Sequence, residues 1–295
     1  MGQGLHTGQA VRMSLRPASA EFGIWFRRKD VHDRDNMIAA RWDTVAGSDH
    51  CTKLANASGI SVSTVEHILA AIVGCGIQNV LIELDGPEVP ILDGSAAQFV
   101  RGILSKGVRE QSTAVRVLEL IDEVSVSNGT ARASLSPAGT LEIRFEIDFE
   151  DAAIGRQDKT VVMSNGAFVR ELCDSRTFCS QEDAQAMQAR GLAQGGSLTN
   201  AVVVEGDQIL SPGGLRHADE AVRHKMLDAL GDLALAGAPI LARYQANRGG
   251  HALTHALLRA LFARPEAFRM RSLDAHQAAH LPGVGLTRED LPKAM

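Results

Sequence analysis

Residues 115–149 read VRVLELIDEVSVSNGTARASLSPAGTLEIRFEIDF. Within them, 115–126, 130–135 and 141–149 are rich in β-branched residues or alternate apolar with polar side chains, the period-2 pattern of half-buried strands. Helical periodicity returns only after Phe168. Strands first and helices later predict an α+β layering. Just upstream, 105–114 is polar and aperiodic, the best linker candidate. Before it, strand-like runs such as 22–27 and Val80–Leu84 alternate with turns such as Asp85-Gly86-Pro87. Two helices punctuate this first third. One is signalled by the Ser63-x-x-Glu66 capping box, with Val65, Ile68, Leu69 and Ile72 at helical spacing as far as Gly74; the other covers 96–104. We therefore expect an N-terminal α+β domain over 1–108 and a C-terminal one over 115–264. A tail, 265–295, with scattered Pro and charges, is expected to be only partly ordered.

The chain is 295 residues long, 45% hydrophobic and 22% charged, enough apolar surface to offset chain entropy in one or two cores. A net charge of -5 gives no broad attraction for nucleic acid or anionic lipid, so a phosphate-bearing ligand needs a local basic pocket. Cys51, Cys75, Cys173 and Cys179 form no C-x-x-C pair and read as reduced thiols. With no signal-peptide pattern, no apolar run approaching roughly 18 residues and His6 where a myristoylation signal needs Ser or Thr, we expect a cytoplasmic protein without stable membrane insertion. A monomer is expected, although no sequence feature fixes the oligomeric state.

Residues 219–237, DEAVRHKMLDALGDLALAG, form the second well-signalled helix, with Asp219 as N-cap candidate and Gly237 then Pro239 as a stop. At about 100° per residue, Val222, Met226, Ala229, Leu230 and Leu233 make an apolar stripe, and His224, Asp228 and Asp232 fall together opposite it. Leu227 and Leu235 flank that polar row, so it is partly shielded from water, and shielded carboxylates need partners or a cation. His224 and Asp228, at i and i+4, are either a hydrogen-bonded helical pair or two ligands of a metal ion such as zinc. His67 is the attractive third ligand, because Glu66 beside it is a potential base. Equally, Glu66 is the return half of the capping box and His67 a surface residue. His251, after Gly249-Gly250, is a general acid or simply a helix N-terminal residue. The pairs His251/His255 and His276/His280 share the ligand spacing but have no acidic residue on their own faces. Neither Gly2-x-Gly4-x-x-x-Gly8 nor Gly195-Gly196-Ser197 has the spacing of a phosphate-binding loop.

Taken together, Gly4-Leu5-His6-Thr7-Gly8, Ser63-Thr64-Val65-Glu66-His67, the run from Asp85-Gly86-Pro87-Glu88 to Asp93-Gly94-Ser95, Ser175-Arg176-Thr177-Phe178, Val222-Arg223-His224-Lys225-Met226-Leu227-Asp228 and Gly250-His251-Ala252-Leu253 resemble one family. It is the zinc-dependent UDP-3-O-acyl-N-acetylglucosamine deacetylase family of lipid A synthesis, and the resemblance runs from about Gly2 to Arg264. It implies two similar two-layer α/β sandwich domains with the active site between them. It also implies a hydrolase that removes the N-acetyl group of UDP-3-O-(3-hydroxyacyl)-N-acetylglucosamine and releases acetate.

The resemblance implies one zinc ion per chain on His67, His224 and Asp228, with a position open for water, as a catalytic site requires. It implies Glu66 as the base, His251 as the acid for the departing amine with Asp232 behind it, and Thr177 and Lys225 near the developing oxyanion. We add Arg248 for a substrate phosphate, Phe149 for uracil stacking and Phe178 as a further substrate contact. Two departures bear on substrate fit: Cys179-Ser180 stands where many relatives have Gly-Phe, and Ala152-Ala153 replaces a His-Pro-like segment. The chain also begins at the Gly-x-Gly-Leu-His motif, without the first strand the resemblance places ahead of it, an edge whose loss would weaken the first domain. The alternatives are a non-catalytic sugar-nucleotide-binding protein of the same fold, in which Glu66 has no task, and a deacetylase of another N-acetyl sugar.

Overall fold

The computed structural model describes residues 1–47 and 50–290. It is an α+β arrangement of two principal sheets whose helices meet face to face. In the first sheet Val80–Leu84 is flanked by Met13–Pro17, antiparallel, and by Ile24–Arg28, parallel; Met37–Ala39 completes the other edge. Helices α1 (Glu66–Gly74) and α2 (Ala97–Lys106) belong to this half. All of α1 except Val73 is buried, because it is enclosed on both sides. A small sheet of Val45–Gly47, Lys53–Ala55 and Ser61–Ser63 leads into it.

The second sheet has seven strands around Ile240–Asn247, which pairs antiparallel with Ala131–Pro137 and parallel with both Arg116–Leu120 and Glu142–Asp148. The expected single run at 115–126 is two strands, Arg116–Leu120 and Val124–Asn128. Helices α3 (Ala167–Glu171) and α4 (Gln181–Ala189) follow the edge strand Arg156–Val162. Helix α5 (Glu220–Leu233) packs on Glu142–Asp148, and α6 (His251–Phe262) on Val124–Asn128 and Ala131–Pro137. Neither Arg156–Val162 nor the central Ile240–Asn247 stands out in the sequence. The expected tail is more ordered than its composition suggests: Phe268–Ser272 pairs along the whole of Arg116–Leu120, and Leu281 joins a small apolar cluster with Val117 and Leu241. Residues 291–295 of that tail lie outside the described residues.

Two local expectations change. Ser63 does not cap α1: it is a strand residue paired with Lys53, and the helix begins at Glu66 with no side-chain cap. Between them Thr64 takes φ 56°, a conformation that is strained for a β-branched residue at a cost of order 1–3 kcal/mol. Asp219 likewise occupies the N-cap position of α5 without capping it; its carboxylate pairs with Arg223 at 2.6 Å and Lys159 at 3.2 Å.

The two halves meet where α1 crosses α5. At the crossing stands Gly231, where a Cβ would lie 2.1 Å from the Glu66 carbonyl oxygen. Only glycine admits that approach, and it is used despite costing about 1 kcal/mol relative to Ala inside a helix. The crossing sets the first turn of α1, carrying Glu66 and His67, directly against the polar row of α5.

Candidate active site

The row on α5 is more enclosed than the sequence suggests: His224 is 3% exposed, Asp228 8% and Asp232 1%. Helix α1 covers it, so burial comes from the partner helix and not from flanking leucines alone. His67, His224 and Asp228 converge, each offering a ligand atom within 4.8 Å of the other two, the one such group among the described residues. The imidazole Nε2 atoms of His67 and His224 lie 3.5 and 3.4 Å from Asp228 Oδ1, too long for good hydrogen bonds, and that oxygen is buried with no hydrogen-bond partner. The Nδ1 of His224 is 3.0 Å from the Ser175 carbonyl, which fixes Nδ1 as the protonated nitrogen and leaves the Nε2 lone pair facing the cluster.

Burial is the main reason the His224 pKa falls to about 4, keeping the ring neutral as a ligand must be. For Asp228 burial acts the other way, but His224 and His67 outweigh it and hold the carboxylate ionised well below its usual range. Burial also disfavours charge on His67, yet Asp228 overrides it and raises that pKa. A proton on His67 therefore occupies the lone pair a cation would use. Two neutralisable nitrogens, one ionised oxygen and an orphaned lone pair are a donor set that could hold a metal ion.

Glu66 and His251 face each other beside this cluster, with His251 Nε2 4.0 Å from Glu66 Oε1 and 4.0 Å from Asp228 Oδ2. The Glu66 carboxylate does not turn back to its own helix; its Oε2 accepts the Thr52 N–H at 3.1 Å, and burial raises its pKa. Burial works against charge on His251, as does its place at a helix N-terminus, but Asp232 Oδ2 sits 2.7 Å from Nδ1 and the pKa rises to about 10. Asp232 is saturated: Oδ1 accepts from the Thr52 hydroxyl at 2.6 Å and lies 3.2 Å from His255 Nε2. His255 thus serves Asp232 and not a separate ligand pair, while His276 lies in the short helix Ala275–Ala278 and His280 in the turn after it.

The remaining sequence candidates lie outside the His67, His224 and Asp228 group. Phe178 packs edge-on against His224, centroids 6.3 Å apart, and Phe149 against Phe178 at 5.3 Å, an aromatic path from a 40%-exposed ring inward. Arg248, at φ 49° just before Gly249, pairs with Asp148, the residue preceding Phe149. Thr177 is pinned through its backbone, donating to the Gly94 carbonyl at 2.8 Å and accepting from Val202 N–H at 2.7 Å. The Lys225 ammonium lies 5.9 Å above the Phe145 ring, on the side of Gly250.

Sequence reasoning missed Thr52 and Glu88. Glu88 Oε1 accepts from His6 N–H and the Thr64 hydroxyl, and Oε2 from Thr7 N–H and its hydroxyl, all at 2.7–2.9 Å. Three of the sequence motifs therefore meet on one carboxylate, which holds strained Thr64 and so aims the start of α1.

The model of the UDP-3-O-acyl N-acetylglycosamine deacetylase family matches residues 1–263. The chain belongs to that family. Curated relatives carrying the name UDP-3-O-acyl-N-acetylglucosamine deacetylase include one from Phenylobacterium zucineum, 48% identical over 92% of this chain and 92% of its own length. Those from Anaeromyxobacter sp. and Pasteurella multocida are 44% and 43% identical, over 95% and 94% of this chain and 92% and 91% of theirs. No helix among the described residues is long and apolar enough to cross a membrane.

Proposed function

We propose that this protein is a zinc-dependent deacetylase that removes the N-acetyl group from UDP-3-O-acyl-N-acetylglucosamine and releases acetate, a step of lipid A synthesis. The observation that carries the reading is the orphaned Asp228 oxygen between two imidazoles, with an acid and a base side chain facing it. His67, His224 and Asp228 would hold one zinc ion, which supplies Lewis acidity and activates water when bound.

The rest falls to the chain's own groups. Glu66, with its pKa raised by burial, takes the proton of the attacking water on Oε1. An amine leaves poorly unless protonated, so His251 Nε2 donates the proton, and Asp232 keeps the ring charged until then. Thr177 and Lys225 support the oxyanion. Phe149, Phe178 and Arg248 line the way in, the arginine for a phosphate. Residues 1–108 and 115–264 act as the two sandwich domains, the second extended by Phe268–Ser272.

A non-catalytic binding protein would not require the Glu66–His251 pair. Purified protein carrying about one zinc per chain should release acetate from the UDP-linked substrate and lose activity to a chelator. Full activity without metal contradicts the reading, and turnover of simple N-acetylglucosamine derivatives lacking UDP and acyl groups would reassign the substrate.

A further inference from the structure

We infer that Thr52 is a positioning residue that locks Asp232, and through it His251, into the working orientation; this rests on the deacetylase reading of the site. Thr52 is fully buried at the start of strand Lys53–Ala55, in the half of the molecule opposite α5 and α6. Its three polar groups are all committed to the site. The carbonyl accepts from Val65 N–H at 3.4 Å and the N–H donates to Glu66 Oε2 at 3.1 Å, so its backbone clasps the first turn of α1. The hydroxyl donates to Asp232 Oδ1 at 2.6 Å, reaching across to a helix 180 positions away in the chain.

The hydroxyl settles which oxygen of Asp232 does what. A carboxylate behind an imidazole can rotate about its last side-chain torsion, which is soft and broad. With Oδ1 held by the short Thr52 bond, and His255 Nε2 3.2 Å from both that oxygen and the hydroxyl, Oδ2 has one direction left, toward His251 Nδ1 at 2.7 Å. The Thr52 oxygen itself is 3.3 Å from that Nδ1, so it also walls the ring on one side. Charge-assisted bonds of this kind are the strong ones.

Thr52→Val removes the hydroxyl at constant shape and leaves the N–H to Glu66 in place, so its effect isolates the hydroxyl's contacts with Asp232 and the two histidines. In the zinc-loaded protein we expect kcat to fall about ten- to a hundredfold, with KM and zinc content unchanged. Thr52→Ser should recover most of the loss. In an Asp232→Asn background, Thr52→Val should add little further loss, because the two act as a unit. In metal-free protein, the His251 Nδ1 proton resonance should move in Thr52→Val and return in Thr52→Ser. Should the valine variant not fold, Thr52→Cys, near in shape with a weak donor, carries the same comparisons. A drop in melting temperature with wild-type kcat and an unmoved resonance, or a full additive loss on Asp232→Asn, overturns the proposal. The resonance reads it even if wild-type protein fails to deacetylate the UDP-linked substrate, a failure that would count against the deacetylase reading alone.

Discussion

Asp228 and Asp232 stand one turn apart on α5, both buried and both held ionised by histidines, yet their surroundings are opposite. Asp232 has every oxygen occupied, by Thr52, His255 and His251. Asp228 keeps one oxygen with no hydrogen bond, 3.4–3.5 Å from two imidazole nitrogens that cannot reach it. A buried anion with an unused lone pair is costly to leave as it is, so the fold tolerates it only where something else completes it. A saturated anion needs no such completion and acts by orienting its neighbour. The glutamates divide the same way: Glu88 and Glu220 are saturated by donors and hold loops, whereas Glu66 receives one backbone N–H and faces the site.

The comparison breaks most visibly at Glu66. Glu66→Gln keeps the shape and the Thr52 contact but cannot take a proton, so turnover should fall about 10²–10⁴-fold while zinc content stays at the wild-type level. A saturated glutamate should instead register in stability. Glu220, 1% exposed, accepts from Arg176 Nε at 2.9 Å and from two backbone N–H groups. Arg176→Met strands that carboxylate and should cost about 3–5 kcal/mol in denaturant unfolding.

The pH dependence of unfolding carries a sign. Burial works to raise the Glu220 pKa, but the Arg176 and backbone hydrogen bonds lower it overall. The stabilisation is therefore fully present above the unfolded value of about 4.3 and is lost as pH falls through the lower folded value. Arg176→Met should flatten that acid-range slope. The smallest effect belongs to Gly231. In an exposed helix, Gly→Ala stabilises by about 1 kcal/mol; here the added methyl meets the Glu66 backbone and should reverse the sign, destabilising by about 1–3 kcal/mol.

Much of this was legible before the fold was known, and the rest was illegible for identifiable reasons. The two clear helices announced themselves because their apolar residues repeat locally, and the α5 row could be read as one face from spacing alone. Ile240–Asn247 contains Leu241, Ala242, Arg243, Gln245 and Ala246, residues at ease in helices, and becomes the central strand only through pairing with residues about a hundred positions upstream. Arg156–Val162 is an edge strand whose polar face hides its alternation. Ser63 and Glu66 matched a capping box, but non-local hydrogen bonds to Glu88 and Thr52 outweighed that local one. Thr52 itself has no motif around it: its role exists only where two distant helices meet, and no single-sequence pattern encodes such a contact.

The most direct test of the contrast between the two aspartates is to measure zinc per chain in Asp228→Asn and Asp232→Asn side by side, with turnover on the UDP-linked substrate. Asp228→Asn should lose its metal along with its activity. Asp232→Asn should keep about one zinc per chain and lose turnover. An Asp228→Asn protein that retains zinc at wild-type affinity, or an Asp232→Asn protein that emerges empty, would contradict the assignment of the unsatisfied carboxylate as ligand and the saturated one as positioner.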